Sequence, residues 1–166
     1  MSIDRNKSAY NKKHEDFIDE VLVVCPSCNQ KAKVIAGNKE TELQAETKVI
    51  CTSCGFNKKL SEKPDVVLHK TSRKTITGKY LVLGGSVDPY FHFPLWLTID
   101  CCNNTIWAYN LNHLNFIESH ISSKLRERDI SDISNKSIGS RLPRWMTSKN
   151  NRELVLKSIR ILKVKK

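Results

Sequence analysis

Four cysteines in two pairs, Cys25-Pro-Ser-Cys28 and Cys51-Thr-Ser-Cys54, have the spacing that gathers four thiolates around one tetrahedral ion. In each pair the two intervening residues allow a tight turn that aims both sulfurs at a point about 2.3 Å away, with backbone N–H groups of the turn free to donate to the thiolates. Pro26 presets φ for such a turn, and Gly55, directly after the last ligand, supplies the left-handed backbone that ends it. Twenty-two residues separate Cys28 from Cys51, room for two antiparallel strands. The expected product is one structural Zn2+ held by Cys25, Cys28, Cys51 and Cys54 in a zinc ribbon. A thioredoxin-type redox pair needs no second Cys-x-x-Cys and sits between a strand and a helix; neither condition is met.

Catalytic chemistry finds little support. An all-thiolate zinc has no open position for substrate or water. The sequence contains no His-Glu-x-x-His, no phosphate-binding loop and no Gly-x-Ser-x-Gly. Nucleobase deaminases also use paired cysteines, but Cys25-Pro-Ser-Cys28 lacks the preceding His/Cys-x-Glu element that they require.

The elements that must position the ligands can be read from side-chain type. Val21 to Val24 leads into the first pair as a strand; Lys31 to Ile35 and Lys48 to Ile50 have the β-branched character of ribbon strands, and Phe56 to Leu60 returns as the next. Residues 21–62 therefore form the expected ribbon, preceded by a polar, flexible arm over residues 1–20. Lys31, Lys33, Lys58 and Lys59 lie just beyond the cysteine pairs, where they suit charge compensation of a four-thiolate zinc or plain solvation better than phosphate contact. Residues 63–79 are polar, contain Pro64 and read as a linker or an exposed strand pair.

Residues 80–166 are expected to form an α+β domain with basic C-terminal helices, which makes the whole chain α+β. Tyr80 to Leu83 is predicted as a strand. The aromatic run from Asp88 to Leu97 reads as an Asp-Pro turn and a core strand burying Leu95 and Leu97, in preference to a base-stacking platform. Trp96 to Ile99 and Thr105 to Tyr109 flank an Asn-rich turn and predict a β-hairpin. In it Cys101 and Cys102 are expected as buried thiols, because adjacent side chains diverge in an extended chain and make poor partners on one ion. Asn110 is expected to cap a helix through about Arg128, with Leu111, Leu114, Ile117, Ile121 and Leu125 on its apolar face. Asp129 to Ser137 reads as a loop. Asn150 or Asn151 then starts a last helix with Leu154, Val155, Ile159 and Leu162 inward.

Charge points to a partner. Lys and Arg number 28 against 17 Asp and Glu, for a net +11, which falls to about +9 once four thiolates and one Zn2+ are counted. The excess is uneven: +5 over residues 1–79, −2 over 80–110 and +8 over 111–166. A polyanion should meet the C-terminal third first. Arg126, Arg128, Arg141, Arg144, Lys149, Arg152, Arg160 and Lys163 are the candidate nucleic-acid contacts, DNA or RNA. Arg141 and Arg144 have the planar fork that grips phosphate, although packing on Trp145 or ion pairing with a helix explains them as well. No run of about 18 apolar residues exists, and residues 1–20 lack the apolar centre of a secretory signal, so a cytoplasmic protein without membrane partners is expected.

Several later motifs, read together with the cysteine pairs, resemble a group of bacterial proteins known as TFIIB-type zinc-ribbon-containing. They are Asp88-Pro-Tyr-Phe91, Pro94-Leu-Trp-Leu97, Cys101-Cys102, Trp107-Ala-Tyr-Asn110, Leu125-Arg-Glu-Arg128, Arg141-Leu-Pro-Arg-Trp-Met146 and Lys149-Asn150. The resemblance covers roughly residues 21 to 162 and implies the zinc site, while carrying no established activity. No cyclin-like repeats of a true initiation factor follow. The chain departs from the pattern at His92 and Asn103, where Gly is usual. Two functions follow from different classes: a nucleic-acid-binding protein using its basic C-terminal surface, or an adaptor whose ribbon edge and aromatic segment bind another protein within a complex.

Overall fold

The structure is a computed structural model describing residues 5–6, 11–37, 46–123, 125–126 and 137–165. In chain order the strands are β1 (Arg5–Asn6), β2 (Glu20–Val24), β3 (Lys31–Ile35), β4 (Lys48–Ile50), β5 (Asn57–Lys59), β6 (Val66–Lys70), β7 (Thr75–Gly78), β8 (Leu97–Cys101), β9 (Asn104–Ala108) and β10 (Leu125–Arg126). The helices are α1 (Leu111–Ser122), α2 (Ile138–Arg141), α3 (Arg144–Thr147) and α4 (Arg152–Lys163). This mixed α/β chain divides into two compact units, residues 18–96 and the described residues of 1–17 with 97–166.

Unit 18–96 is built on a four-stranded antiparallel sheet in the order β2-β3-β4-β5. Its register sets Val21 opposite Val34 and Val34 opposite Val49, so one face collects small branched side chains that are fully buried. On β3 burial alternates with period two: Ala32 and Val34 point in, while Lys31, Lys33 and Ile35 point out. Strand β2 has a second neighbour. Val24 N–H donates to Pro94 O and Trp96 N–H to Leu22 O, both at 2.9 Å, which lays residues 94–96 along its free edge.

The segment 80–96 thus packs with the cysteine-bearing sheet. Residues 80–83, predicted as a strand, form none; Leu81 and Leu83 are exposed. What orders the segment is Asp88, fully buried, whose carboxylate accepts the backbone N–H groups of Tyr90 (2.9 Å), Phe91 (2.8 Å) and Phe93 (2.6 Å). Burial pushes this carboxyl above its ordinary range, while the three N–H donors pull it back. Wrapped around it, Tyr90, Phe91, Leu95 and Trp96 are buried, as the core reading expected.

His92 takes φ +66°, a left-handed conformation uncommon outside glycine. Its ring is held there, with Nδ1 3.2 Å from Lys63 Nζ, and the same ammonium donates to Tyr90 O at 3.0 Å. Strands β6 and β7 form a separate antiparallel pair, the strand-pair alternative for residues 63–79.

In the other unit, antiparallel β8 and β9 pack with α1 and α4. The turn between the strands places Cys102 at φ +55° and Asn103 at φ +58°, both positive as a two-residue type I′ turn requires. Helix α1 starts where Asn110 accepts the His113 N–H at 2.9 Å, and the Asn110 amide also donates to Phe17 O at 2.9 Å. One side chain therefore caps the helix and ties down residues 14–17, a short 3-10 turn whose Phe17 is buried against His113.

The helix stops at Ser122, short of the expected Arg128, and Leu125 lies in β10, paired in parallel with β1. Leu111, expected inward, is exposed in the first turn; Leu114, Ile117 and Ile121 are buried. Helix α4 starts after Asn151 as expected and buries Val155, Ile159 and Leu162, but Leu154 is exposed. It lies about 100° beyond Val155 around the helix, off the packed stripe. The loop expected over Asp129 to Ser137 lies outside the described residues except for Ser137, whose hydroxyl caps α2.

Candidate functional site

The two cysteine turns repeat one backbone pattern. Cys25 N–H donates to Gln30 O (2.8 Å) and Asn29 N–H to Cys25 O (2.9 Å); Cys51 N–H donates to Phe56 O (2.8 Å) and Gly55 N–H to Cys51 O (3.0 Å). Each loop closes on a residue in the left-handed region directly after its second cysteine, Asn29 at φ +58° and Gly55 at φ +76°. Space does not demand glycine at 55, since a Cβ there would meet nothing within 4 Å; the backbone angle is the constraint. Asn is among the side chains that tolerate this region best, so Asn29 is the first turn's counterpart of Gly55.

These turns bring all four sulfurs within 4.8 Å of one another. Cys25 and Cys54 lie 3.7 Å apart, and Cys28 and Cys51 3.6 Å. Four sulfurs each about 2.3 Å from one tetrahedral centre stand about 3.8 Å apart, so the cluster has the dimensions of a single-ion site. Two further contacts flank it: Ser27 N–H donates to Cys25 Sγ at 3.4 Å, and the Cys51 thiol donates to Lys31 O at 3.9 Å. Cys25 and Cys51 are buried, Cys28 half-buried and Cys54 exposed.

The sulfurs share protons unevenly. Burial opposes charge on Cys51, but the N–H groups of Cys54 and Ser53 and the thiols of Cys28 and Cys25 favour its thiolate and lower it to about 6. Cys28 receives the Gln30 N–H, which favours its thiolate, yet burial and the three neighbouring sulfurs push it up to about 12. Such a set suits a divalent cation, which takes the place of the protons. Among the described residues this is the one group of three or more metal-ligating side chains close enough to hold an ion.

Cys101 and Cys102 differ from expectation. Their Sγ atoms converge to 3.5 Å, because the left-handed backbone at Cys102 turns its side chain back toward Cys101. Cys101 is buried as expected, while Cys102 is half-exposed.

The predicted nucleic-acid contacts fall in the unit formed by 1–17 and 97–166. Arg141, Arg144, Lys149 and Arg160 are exposed. Arg152 is half-buried, with an Nε that has no hydrogen-bond partner among the described residues. Lys163 is engaged by Glu118 of α1. Arg126 lies in β10, and Arg128 lies outside the described residues. Lys33 pairs with Glu20 at 3.1 Å, a local compensation.

Sequence reasoning also missed a ring cluster in this unit. His14 stacks on Trp107 at 5.6 Å and meets His113 edge-on at 5.7 Å, while Tyr109 N–H donates to His113 Nδ1 at 3.3 Å. Burial, reinforced by His14, lowers His113 to about 3. Burial also lowers His14, helped by Arg141 and opposed by Glu15.

Among the described residues, no helix is long and apolar enough to cross a membrane. No protein family, curated protein or solved structure matches this chain.

Proposed function

We propose that the chain is a zinc-ribbon protein that binds nucleic acid through basic side chains of its C-terminal part, without catalysis of its own. The observation that carries the metal half is the cluster of four sulfurs within 4.8 Å of one another, two pairs of them at 3.7 and 3.6 Å. Cys25, Cys28, Cys51 and Cys54 would hold one Zn2+, which cross-links the two turns and stabilises a sheet too small to fold on its apolar area alone. The likeness to the bacterial TFIIB-type zinc-ribbon group supports this reading.

The nucleic-acid half rests on the net charge of +11 and on the exposed guanidinium groups of Arg141, Arg144 and Arg160. Each phosphate they neutralise releases a counterion, so binding to short DNA or RNA should weaken steeply between about 50 and 200 mM salt. The combined variant Arg141→Ala, Arg144→Ala, Arg160→Ala should weaken it further. Affinity indifferent to both salt and these substitutions would reject nucleic-acid binding.

A second reading has its own support: α4 exposes Leu154 and Ile161, and Val164 directly after it is exposed as well. Such side chains suit an adaptor contacting another protein, with weak salt dependence.

A further inference from the structure

Between Asp65 and Tyr80 the chain runs out as a two-stranded arm, and every residue from Val66 to Thr77 is exposed. Bare two-stranded ribbons are marginal in water, so the contacts that stiffen this one matter. At its outer end Thr71 N–H donates to Lys74 O at 2.8 Å, the Thr71 hydroxyl to the same oxygen at 3.2 Å, and Lys74 N–H to Thr71 Oγ1 at 3.0 Å. At its base Lys79 pairs with Asp65 at 2.6 Å. An extra residue at Leu68 shifts the register between Val67 and His69, a bulge that increases the twist of the ribbon. Leu68 Cδ1 lies 3.0 Å from where a Cβ on Gly78 would sit, so Leu68 covers the ribbon there.

The register separates the faces. Val67 with Thr77 and Lys70 with Thr75 share one face; Val66 with Gly78 and His69 with Ile76 share the other. The first face carries an ammonium, two hydroxyls and one valine. No acidic residue occurs from Val66 to Lys79, while Lys70, Arg73, Lys74 and Lys79 do. With Lys79 held by Asp65, three cations remain at the outer half of the arm.

We infer that this arm enters the major groove of duplex DNA, with Lys70, Arg73 and Lys74 on phosphates and the Val67, Thr75 and Thr77 face on base edges. The inference deepens the nucleic-acid reading and rests on it, but uses residues outside the C-terminal set. A B-form major groove about 12 Å wide admits two strands about 4.8 Å apart, and threonine and valine there meet base edges and the thymine methyl. The deep, narrow major groove of A-form RNA does not admit them. The uninterrupted positive charge complements the phosphates that line the groove.

The test uses the full, zinc-loaded chain and three probes: a mixed-sequence DNA duplex of about 20 base pairs, the RNA duplex of the same sequence, and one DNA strand, at about 50 and 200 mM salt. Two variants are compared with the wild type, Lys70→Ala/Arg73→Ala/Lys74→Ala and Arg141→Ala/Arg144→Ala/Arg160→Ala, each checked for unchanged zinc content and circular dichroism. The arm variant should lose about tenfold or more in affinity for the DNA duplex, and its salt slope should drop by nearly three. Its effect on the RNA duplex and the single strand should be small. Undiminished DNA-duplex binding by the arm variant, with loss in the Arg141 variant, would overturn the role of the arm and leave the nucleic-acid reading standing. An equal loss on all three probes would overturn groove insertion. No binding of any probe by the wild type would remove both. A wild-type dimer that the arm variant dissolves would assign the arm to a second copy of the chain instead.

Discussion

Cys51 illustrates how a single side chain meets two demands in this protein. Its sulfur is buried beside Cys28, and its backbone opens and closes the second turn through Phe56 O and Gly55 N–H. Cys51→Ser should therefore lower zinc stoichiometry from one to near zero and unfold the cysteine-bearing sheet, read by elemental analysis and far-ultraviolet circular dichroism. Cys101→Ser should leave stoichiometry at one, since two thiols 3.5 Å apart lack the further ligands that a closed site needs. His113 gives a pH signature. It stays neutral in the folded chain down to about 3, against an ordinary 6.5, so the unfolded chain takes up the proton first. Stability should be fully present above about pH 6.5 and fall as pH drops toward 3, by at most about 1.4 kcal/mol per pH unit for this proton. His14 is lowered as well and adds to the same trend, while Arg141 opposes protonation of that ring. Urea unfolding followed across this range should show a shallower pH slope for His113→Asn, which keeps an acceptor for Tyr109 N–H but does not titrate.

Among the elements, the cysteine-bearing strands were the most legible, because alternating Val, Ile and Lys around fixed ligand spacings leaves one register that buries the branched side chains. The helix starts were legible too: Asn110 caps α1, and α4 begins directly after Asn151, whose side chain makes no cap bond and donates to Trp145 O instead. What the residue pattern did not reveal was tertiary. That residues 94–96 extend the edge of β2 depends on Asp88 gathering three N–H groups, a long-range return that no local periodicity encodes. Nor did the chain show that Leu125 leaves the helix, since its spacing continues the apolar series of α1. The convergence of Cys101 and Cys102 was hidden because it depends on a positive φ at a cysteine. Asp88→Ala leaves two buried N–H groups and the half-buried N–H of Phe93 without their acceptor and should destabilise unit 18–96 by about 2–4 kcal/mol, measured by denaturant unfolding. Asn110→Ala removes both a helix cap and the tie to Phe17 O, and should cost about 1–2 kcal/mol in the other unit.

For the whole molecule, the charge excess and the four-sulfur cluster are separable. The cation excess over 111–166 belongs with the helical unit, and the four sulfurs belong with unit 18–96. Removing the ion with a chelator should therefore abolish the structure of the cysteine-bearing sheet before that of the helices, with loss of far-ultraviolet β signal preceding loss of helix signal during heating. The charge excess alone made a polyanion partner legible, but not which cations are spent internally. Glu118 takes Lys163 and burial takes Arg152, whereas Arg141, Arg144 and Arg160 face solvent. The most direct test of the metal site is X-ray absorption at the zinc edge on the purified chain, together with its metal content. One zinc per chain with four sulfur neighbours at about 2.3 Å is the expected result. Less than one bound ion in protein kept reduced, or a shell containing nitrogen or oxygen, would contradict a closed four-thiolate centre.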